Sequence, residues 1–306
     1  MACVPRSRCC CSPCCSSWRS CSSAVSKRGC TMAIDQVHGA RKVGRYVLLS
    51  AMAVIVLFPI YMMVVGSLKP GNKVLVHPLL PTDFTTSTLR EAWNSGHLGR
   101  ALWNSALVST VITIAQVATS ILAAYAFAFL RFPGRSIVFV AFLATLLVPL
   151  EATLTVNRRT MQDLSWINSY KALTVPFLAT AFGIFMIRQV FLQIPREMHE
   201  AASMDGLGHL GFLWQVAVPL SRPTIGALAL FSFLSSWNQY LWPNLVTTNA
   251  KYNTVQTGLK ALKSASLDKP NLVIAGTVIV ALPIFIVLVA FQRQLIRGLT
   301  AGAVKG

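Results

Sequence analysis

Apolar stretches with at most one charge each alternate with short polar ones from residue 46 to residue 292. The first, Tyr46 to Leu68, carries no charge over 23 residues. At about 1.5 Å per helical residue it is long enough to cross a hydrocarbon core about 30 Å thick. Five more stretches follow, over 101–130, 136–156, 172–193, 223–246 and 271–292. Together they predict an all-α membrane protein with six transmembrane helices. The 101–130 stretch is longer than a span requires, so a tilted helix, or one that starts at the interface, is expected there. Pro59 falls inside the first span, where neighbouring helices tolerate a kink. Arg188 stands near the end of the fourth, where a long side chain can snorkel to the surface. The intervening segments read as loops. Residues 69–100 are rich in Pro and Thr, with a short helix expected over 88–94; Arg131-Phe-Pro-Gly-Arg135 is a tight basic turn. A second outer loop carries Arg158, Arg159 and Asp163, and residues 247–270, with Lys251, Lys260, Lys263 and Lys269, read as a third.

One polar island has a different character. Residues 195–219 crowd Arg196, Glu197, His199, Glu200 and Asp205 between two apolar spans. A charge at the bilayer centre costs about 2.5–3.5 kcal/mol on insertion scales, so this segment lies in water or against another protein. Pro195 suits a first helical position, Glu197 falls in the first turn, and Gly206 supplies a left-handed stop. Leu207, Leu210, Leu213, Trp214 and Ala217 then recur at helical spacing up to Pro219, giving a second, amphipathic helix whose apolar side needs a partner. The expected shape is helix, glycine, helix.

Glu200-Ala201-Ala202, then Gly206, then Val216-Ala217-Val218-Pro219 at matching spacing resembles the EAA loop of bacterial ABC importer permeases. Valine replaces that family's usual isoleucine and leucine. The resemblance runs from about Arg45 to Gly306. It takes in Asn104-Ser105, the Arg131–Arg135 turn and Trp237-Asn238, as in the carbohydrate-uptake permeases related to the maltose importer. Within that group, Val148-Pro-Leu-Glu151, Trp237-Asn-Gln-Tyr-Leu-Trp-Pro243 and Gln292-Arg-Gln-Leu-Ile-Arg-Gly298 look most like the permeases of glycerol-3-phosphate and glycerophosphodiester importers. The resemblance implies the type I importer permease fold, with 195–219 as a cytoplasmic coupling loop. Glu200, Ala201, Ala202, Asp205, Gly206 and Leu207 would couple to an ATPase: the two alanines by permitting close approach, the two acids by meeting basic groups. It also implies a sister permease, two copies of an ATPase subunit that bind ATP and Mg, and an extracytoplasmic substrate-binding protein. The location implied is the bacterial cytoplasmic (inner) membrane, with both termini cytoplasmic and Arg297–Gly306 reaching toward the ATPase.

Composition agrees with a membrane protein. Of 306 residues, 54% are hydrophobic and 12% charged, with a mean hydropathy of +0.59; soluble chains carry about 25% charged residues. The net charge of +18 does not indicate nucleic acid, because the basic residues lie in short loops rather than in an aromatic-studded patch. Nor does charge set the orientation: the Lys and Arg after residue 31 divide eleven to each side. All eight cysteines fall within the first thirty residues. This break in composition before Met32 makes residues 1–31 an expected disordered extension outside the native protein, and 32–306 the permease domain. The leader lacks the apolar region of a secretory signal, and Cys11-Ser-Pro-Cys14 has no second pair to complete a zinc site.

Gly206-Leu-Gly208-His-Leu-Gly211 satisfies GxGxxG, but a charged helix precedes it where a dinucleotide site needs a strand. No GxxxxGK[ST] occurs, so energy from ATP must enter through another subunit. His38, His77, His97, His199 and His209 show no metal-ligand spacing, and no cofactor or catalytic residue is expected in this chain. Polar residues within spans line pathways often enough to name candidates: Glu151, Asn104, Trp237, Asn238, Gln239, Tyr240 and Asn244, with Gln116 and Tyr125 behind them. Glu151 reads as a pathway contact or an ion-pair partner of Arg158 or Arg159, the alternative being an interfacial carboxylate near the outer end of the third span. For the 237–244 patch it is an aromatic belt with interhelical amide bonds. As to function, the rivals are a permease for a di- or oligosaccharide such as trehalose or maltose and, more distantly, an ion-coupled secondary transporter, which would need internal repeats.

Overall fold

The computed structural model describes residues 27–70, 85–266 and 269–300. The expected leader over 1–31 therefore lies largely outside the described residues, as does the terminus beyond 300. Among the described residues every regular element is helical. The chain divides between Pro59 and Ile60 into two compact units. The first ends within helix α1 (Lys27–Ser67), which continues unbroken through Pro59 and exposes apolar side chains from Val43 to Phe58.

The second unit holds the remaining elements. A short helix, α2 (Ser87–Ser95), precedes the long α3 (Leu98–Phe129). The stretch expected as one span over 136–156 is two helices, α4 (Arg135–Ala144) and α5 (Leu150–Asp163), parted at Val148-Pro149. Arg158 and Arg159 thus stand on a helix, not in a loop. The 172–193 stretch is also divided: α6 (Tyr170–Thr174) and a 3₁₀ turn through Phe177 stop before α7 (Ala181–Phe191). Then come α8 (Arg196–Met204) and α9 (His209–Leu220), and the expected span over 223–246 becomes α10 (Arg222–Trp237) and α11 (Leu241–Val246). The expected loop 247–270 contains α12 (Val255–Ala265), which buries Val255, Gly258 and Leu262 at helical spacing. The last helix is α13 (Pro270–Thr300). Residues 42–67, 98–129 and 270–292 are each long and apolar enough to cross a membrane, and the number rises to six if each bent pair counts as one span.

A proline stands at or close to each of these breaks. Val148, held before Pro149, is extended at φ −80° and ψ 114°, as a residue preceding proline prefers. Pro176 lies in the turn that ends α6. Pro243 stands one turn beyond the break at 238–240, where its ring would clash with the carbonyl of residue 239 in a continuous helix. Carbonyls freed in a membrane need donors, and polar side chains supply them. Gln116 Nε2 donates to Phe177 O at 2.8 Å and Thr119 Oγ1 to Leu178 O at 3.1 Å. Trp242 Nε1 donates to Ala172 O at 2.8 Å, and Arg158 Nε to Leu245 O at 3.0 Å.

Helix α3 packs against α7, α10 and α12. Half of its buried positions are small or polar, among them Ala101, Ser105, Ser109, Ser120 and Ala124. Small residues let helices approach closely where lipid removes the hydrophobic drive between them. Gly183 of α7 meets α3 so closely that a Cβ there would stand 2.3 Å from Ser120 Oγ. Toward the other end of α3, Asn104 is fully occupied: its Nδ2 donates to Lys251 O and Asn253 O, both at 2.9 Å, and its Oδ1 accepts from Tyr170 Oη at 2.9 Å.

Candidate functional site

The polar island folds as helix, glycine, helix. Arg196 opens α8, with Pro195 as the extended residue before it rather than the first helical one. At the other end, Leu207 N–H donates to Ala202 O at 2.9 Å and Gly206 N–H to Ser203 O at 3.1 Å, while Gly206 takes φ +81°. This is the Schellman arrangement, with glycine at the left-handed position. Leu207 and Ala202, the residues joined by the longer of the two loops, also share one hydrophobic cluster. The spacing from Ala202 to Gly206-Leu207 therefore has a mechanical reason: it closes α8 and sets the angle at which α9 departs. Inside α9, residues Leu213–Ala217 form a π turn just before Pro219, whose ring conflicts with the i−4 carbonyl of a regular helix.

The alanine pair is divided. Ala202 is buried against Phe212 and Leu213 of the same chain, whereas Ala201, Glu200, Asp205 and Gly206 are exposed. Around them several apolar side chains stand in the open: Met204 at 90% exposure, Leu210 at 67% and Trp214 at 56%. Exposed apolar groups on a segment this polar mark a surface that expects a partner.

The inner side of the elbow is clamped to the end of α3 by rings. His199 of α8 stacks on Phe129, with centroids 5.7 Å apart and planes 12° from parallel, and meets Phe212 edge-on at 4.7 Å. Tyr125 Oη lies 3.1 Å from His209 Nδ1 at the start of α9. Tyr125 and Phe129 are themselves in contact at 5.1 Å. Both halves of the elbow thus bear on one turn of α3. In the sequence, neither histidine shows a spacing that points to this clasp. The available signal was the i, i+4 aromatic pair closing the α3 stretch.

The pathway candidates scatter. Asn104 and Trp237 are buried, the first fully hydrogen-bonded and the second stacked on Phe233 at 5.6 Å. Asn238 is exposed and its amide caps α10 through Leu234 O. Gln239 and Tyr240 sit in the break between α10 and α11, and Asn244 Oδ1 accepts from Lys260 Nζ at 2.9 Å. Glu151 is exposed in the first turn of α5. Arg158, one of its expected partners, is turned instead to Leu245 O. Gln116 and Tyr125 face neighbouring helices as described. Among the described residues no three His, Cys, Asp or Glu gather as a metal site, and the GxGxxG segment lies in the elbow with no strand before it.

The sequence profile of the family described as binding-protein-dependent transport system inner membrane component matches residues 39–300. The chain is 35% identical over 277 residues to the sn-glycerol-3-phosphate transport system permease protein UgpE of Brucella abortus, covering 87% of this chain and 98% of that protein. It is 33% identical over 264 residues to the protein of the same name from Yersinia enterocolitica, covering 83% and 94%. A chain in the crystal structure of a bacterial ABC transporter involved in the import of the acidic polysaccharide alginate superposes with a TM-score of 0.72 at 24% identity, covering 85% of this chain and 96% of that one. A chain from a bacterial alginate ABC transporter in complex with alginate pentasaccharide-bound periplasmic protein superposes at 0.57 with 15% identity, covering 83% and 95%. These two likenesses establish a common fold.

Proposed function

The chain belongs to the binding-protein-dependent transport system inner membrane component family, the membrane permeases of ABC importers, and on that footing we propose that it imports glycerol-3-phosphate or glycerophosphodiesters by ATP-driven alternating access. Each bent pair counts as one of six spans, both termini face the cytoplasm, and the elbow at 195–219 lies on the same side. There it meets one of two ATPase subunits, which bind ATP and Mg. A sister permease completes the membrane unit, and an extracytoplasmic binding protein delivers the solute.

The observation that carries this reading is the elbow itself. It turns a set of acids and bare apolar groups outward while its other side is clasped to α3 through Tyr125, Phe129, His199 and His209. Glu200, Ala201 and Asp205 supply the outward contacts, Ala202 and Leu207 the inward ones, and Gly206 fixes the angle between them. Closure of the ATPases pushes α8 and α9, the clasp carries the push to α3, and the bundle rocks.

For the solute path, the break at 238–240 is the strongest place, because irregular backbone at membrane depth is tolerated where it lines a cavity. Gln239, Tyr240, Asn238, Asn244 and Glu151 remain the assigned contacts. Lys260 stands beside Tyr240, its Nζ 5.9 Å from the ring centroid, and adds a cation suited to a phosphate. The names of the relatives favour glycerol-3-phosphate, whereas the alginate neighbour keeps a saccharide as the second reading. A thermal-shift screen of the cognate binding protein decides between them. Stabilisation by glycerol-3-phosphate or a glycerophosphodiester, and not by trehalose or maltose, is expected; stabilisation by the sugars alone would reassign the solute.

A further inference from the structure

An open cleft of about 1,230 Å³ lies where the Leu130–Gly134 turn, the end of α7 and the start of α8 come together. Three guanidinium groups line it, from Arg131, Arg135 and Arg196, against one carboxylate, Glu200. Among the described residues none of the three arginines forms an ion pair, although Glu200 lies one helical turn beyond Arg196. Arg135 donates to Leu130 O at 3.1 Å, which leaves its charge uncompensated. We propose that this cleft is a binding site for the phosphate of an anionic phospholipid headgroup, drawn from the membrane that surrounds the chain.

Charge, depth and rim select that occupant. Planar guanidinium groups bind phosphate oxygens in pairs, and three of them around one opening exceed what Glu200 can neutralise. As to depth, Arg131 directly follows the uncharged run that ends at Leu130, Arg135 opens the apolar helix α4, and Arg196 comes five residues after the end of α7. All three therefore stand where hydrocarbon gives way to headgroups, the level at which basic pockets between spans take acidic lipids. The rim adds Phe132 at 37% exposure and Leu192 at 48%, apolar surface that suits glycerol and the upper acyl chain and does nothing for a small free anion. A bound headgroup joins the turn after α3 to the first residue of α8, so it braces the start of the elbow. The site needs only a membrane-embedded chain and stands or falls separately from the import reading.

The test is native mass spectrometry of the purified full chain in detergent, titrated with phosphatidylglycerol or with phosphatidylcholine of the same acyl chains. Retention of phosphatidylglycerol is expected to exceed that of phosphatidylcholine by at least about tenfold. The triple variant R131Q/R135Q/R196Q is expected to lose the preference, and R90Q/R159Q/K263Q, with the same charge removed elsewhere, to keep it. R131Q and R196Q singly, checked for an unchanged melting temperature, each give a partial loss and serve if the triple variant does not fold. Equal retention of both lipids, or undiminished preference in the arginine variants, overturns the proposal. Displacement of phosphatidylglycerol by inorganic phosphate or by polyglutamate also overturns it, in favour of a free anion or an acidic protein surface.

Discussion

Replacing Gly206 with valine is expected to cut solute uptake by about tenfold or more while the chain remains folded and inserted. The backbone there is left-handed, and an L-residue in that region costs about 1–2 kcal/mol, more for a branched side chain. A Cβ at Gly206 meets nothing within 4 Å, so the penalty arises from the backbone alone and not from a clash with neighbours. The chain relieves it by giving up the Leu207-to-Ala202 closure, which re-aims α8 relative to α9. Since about 1.4 kcal/mol corresponds to a factor of ten, a shift of this size in the population of the docked geometry accounts for the loss. In the reconstituted complex, ATP hydrolysis should continue without responding to the binding protein. Gly206→Asn, which tolerates the left-handed region, should retain most of the activity. Tyr125→Phe, which removes one hydrogen bond of the clasp, should give the same phenotype in milder form, about threefold. Full uptake by Gly206→Val would mean that the angle of the elbow is irrelevant.

The second large effect concerns assembly of the bundle. Gly183→Leu is expected to abolish the folded chain, read as loss of a monodisperse peak after detergent extraction. A Cβ at this position would come within 2.3 Å of Ser120 Oγ, 2.9 Å of Thr180 Cγ2 and 3.1 Å of Leu228 Cδ2, touching α3 and α10 together. Overpacking of a core ordinarily costs about 1–3 kcal/mol, and a full leucine wedged between three elements goes beyond that range. Gly183→Ala should be partly destabilising, and pairing it with Ser120→Gly should restore stability, because the nearest obstacle is the serine hydroxyl. Failure of that pairing to rescue, with Gly183→Leu well folded, would show that the helices have room to move apart.

What the sequence made visible follows from which physics is local. Lipid demands uncharged length, so the apolar stretches were plain, and the described bounds of α3 fall within three residues of the 101–130 expectation. Gly206 was legible for a similar reason: few residues other than glycine accept a left-handed helix end. The breaks at 148–149, 178–180 and 238–240 were not, because an apolar run reads the same whether its helix is straight or bent. Proline alone does not announce them: Pro149, Pro176 and Pro243 accompany breaks, yet Pro59 and Pro283 stand inside continuous helices. The difference lies in side chains distant in sequence, such as Gln116 and Thr119, that satisfy the freed carbonyls. Asn104 is held in the same manner, by carbonyls and a hydroxyl distant in sequence, at Lys251, Asn253 and Tyr170. Helix α12 was hidden because Lys260 and Lys263 drew the reading toward a solvated loop and away from the Val255, Gly258 and Leu262 stripe. The clasp was hidden because His199 and His209 act through stacking and one hydrogen bond, for which no spacing rule exists.

The central claim is that the outward face of the elbow is where a separate ATP-hydrolysing subunit grips this bundle. Met204, the most exposed large apolar residue of that face, reports on it directly. With the eight cysteines of residues 1–30 replaced by serine, Met204→Cys can be labelled by a membrane-impermeant maleimide in intact spheroplasts and in inside-out vesicles, with and without the co-expressed ATPase. The account predicts labelling only in inside-out vesicles, and its suppression when the ATPase is present. Labelling from the outside, or labelling that the ATPase leaves unchanged, would contradict it.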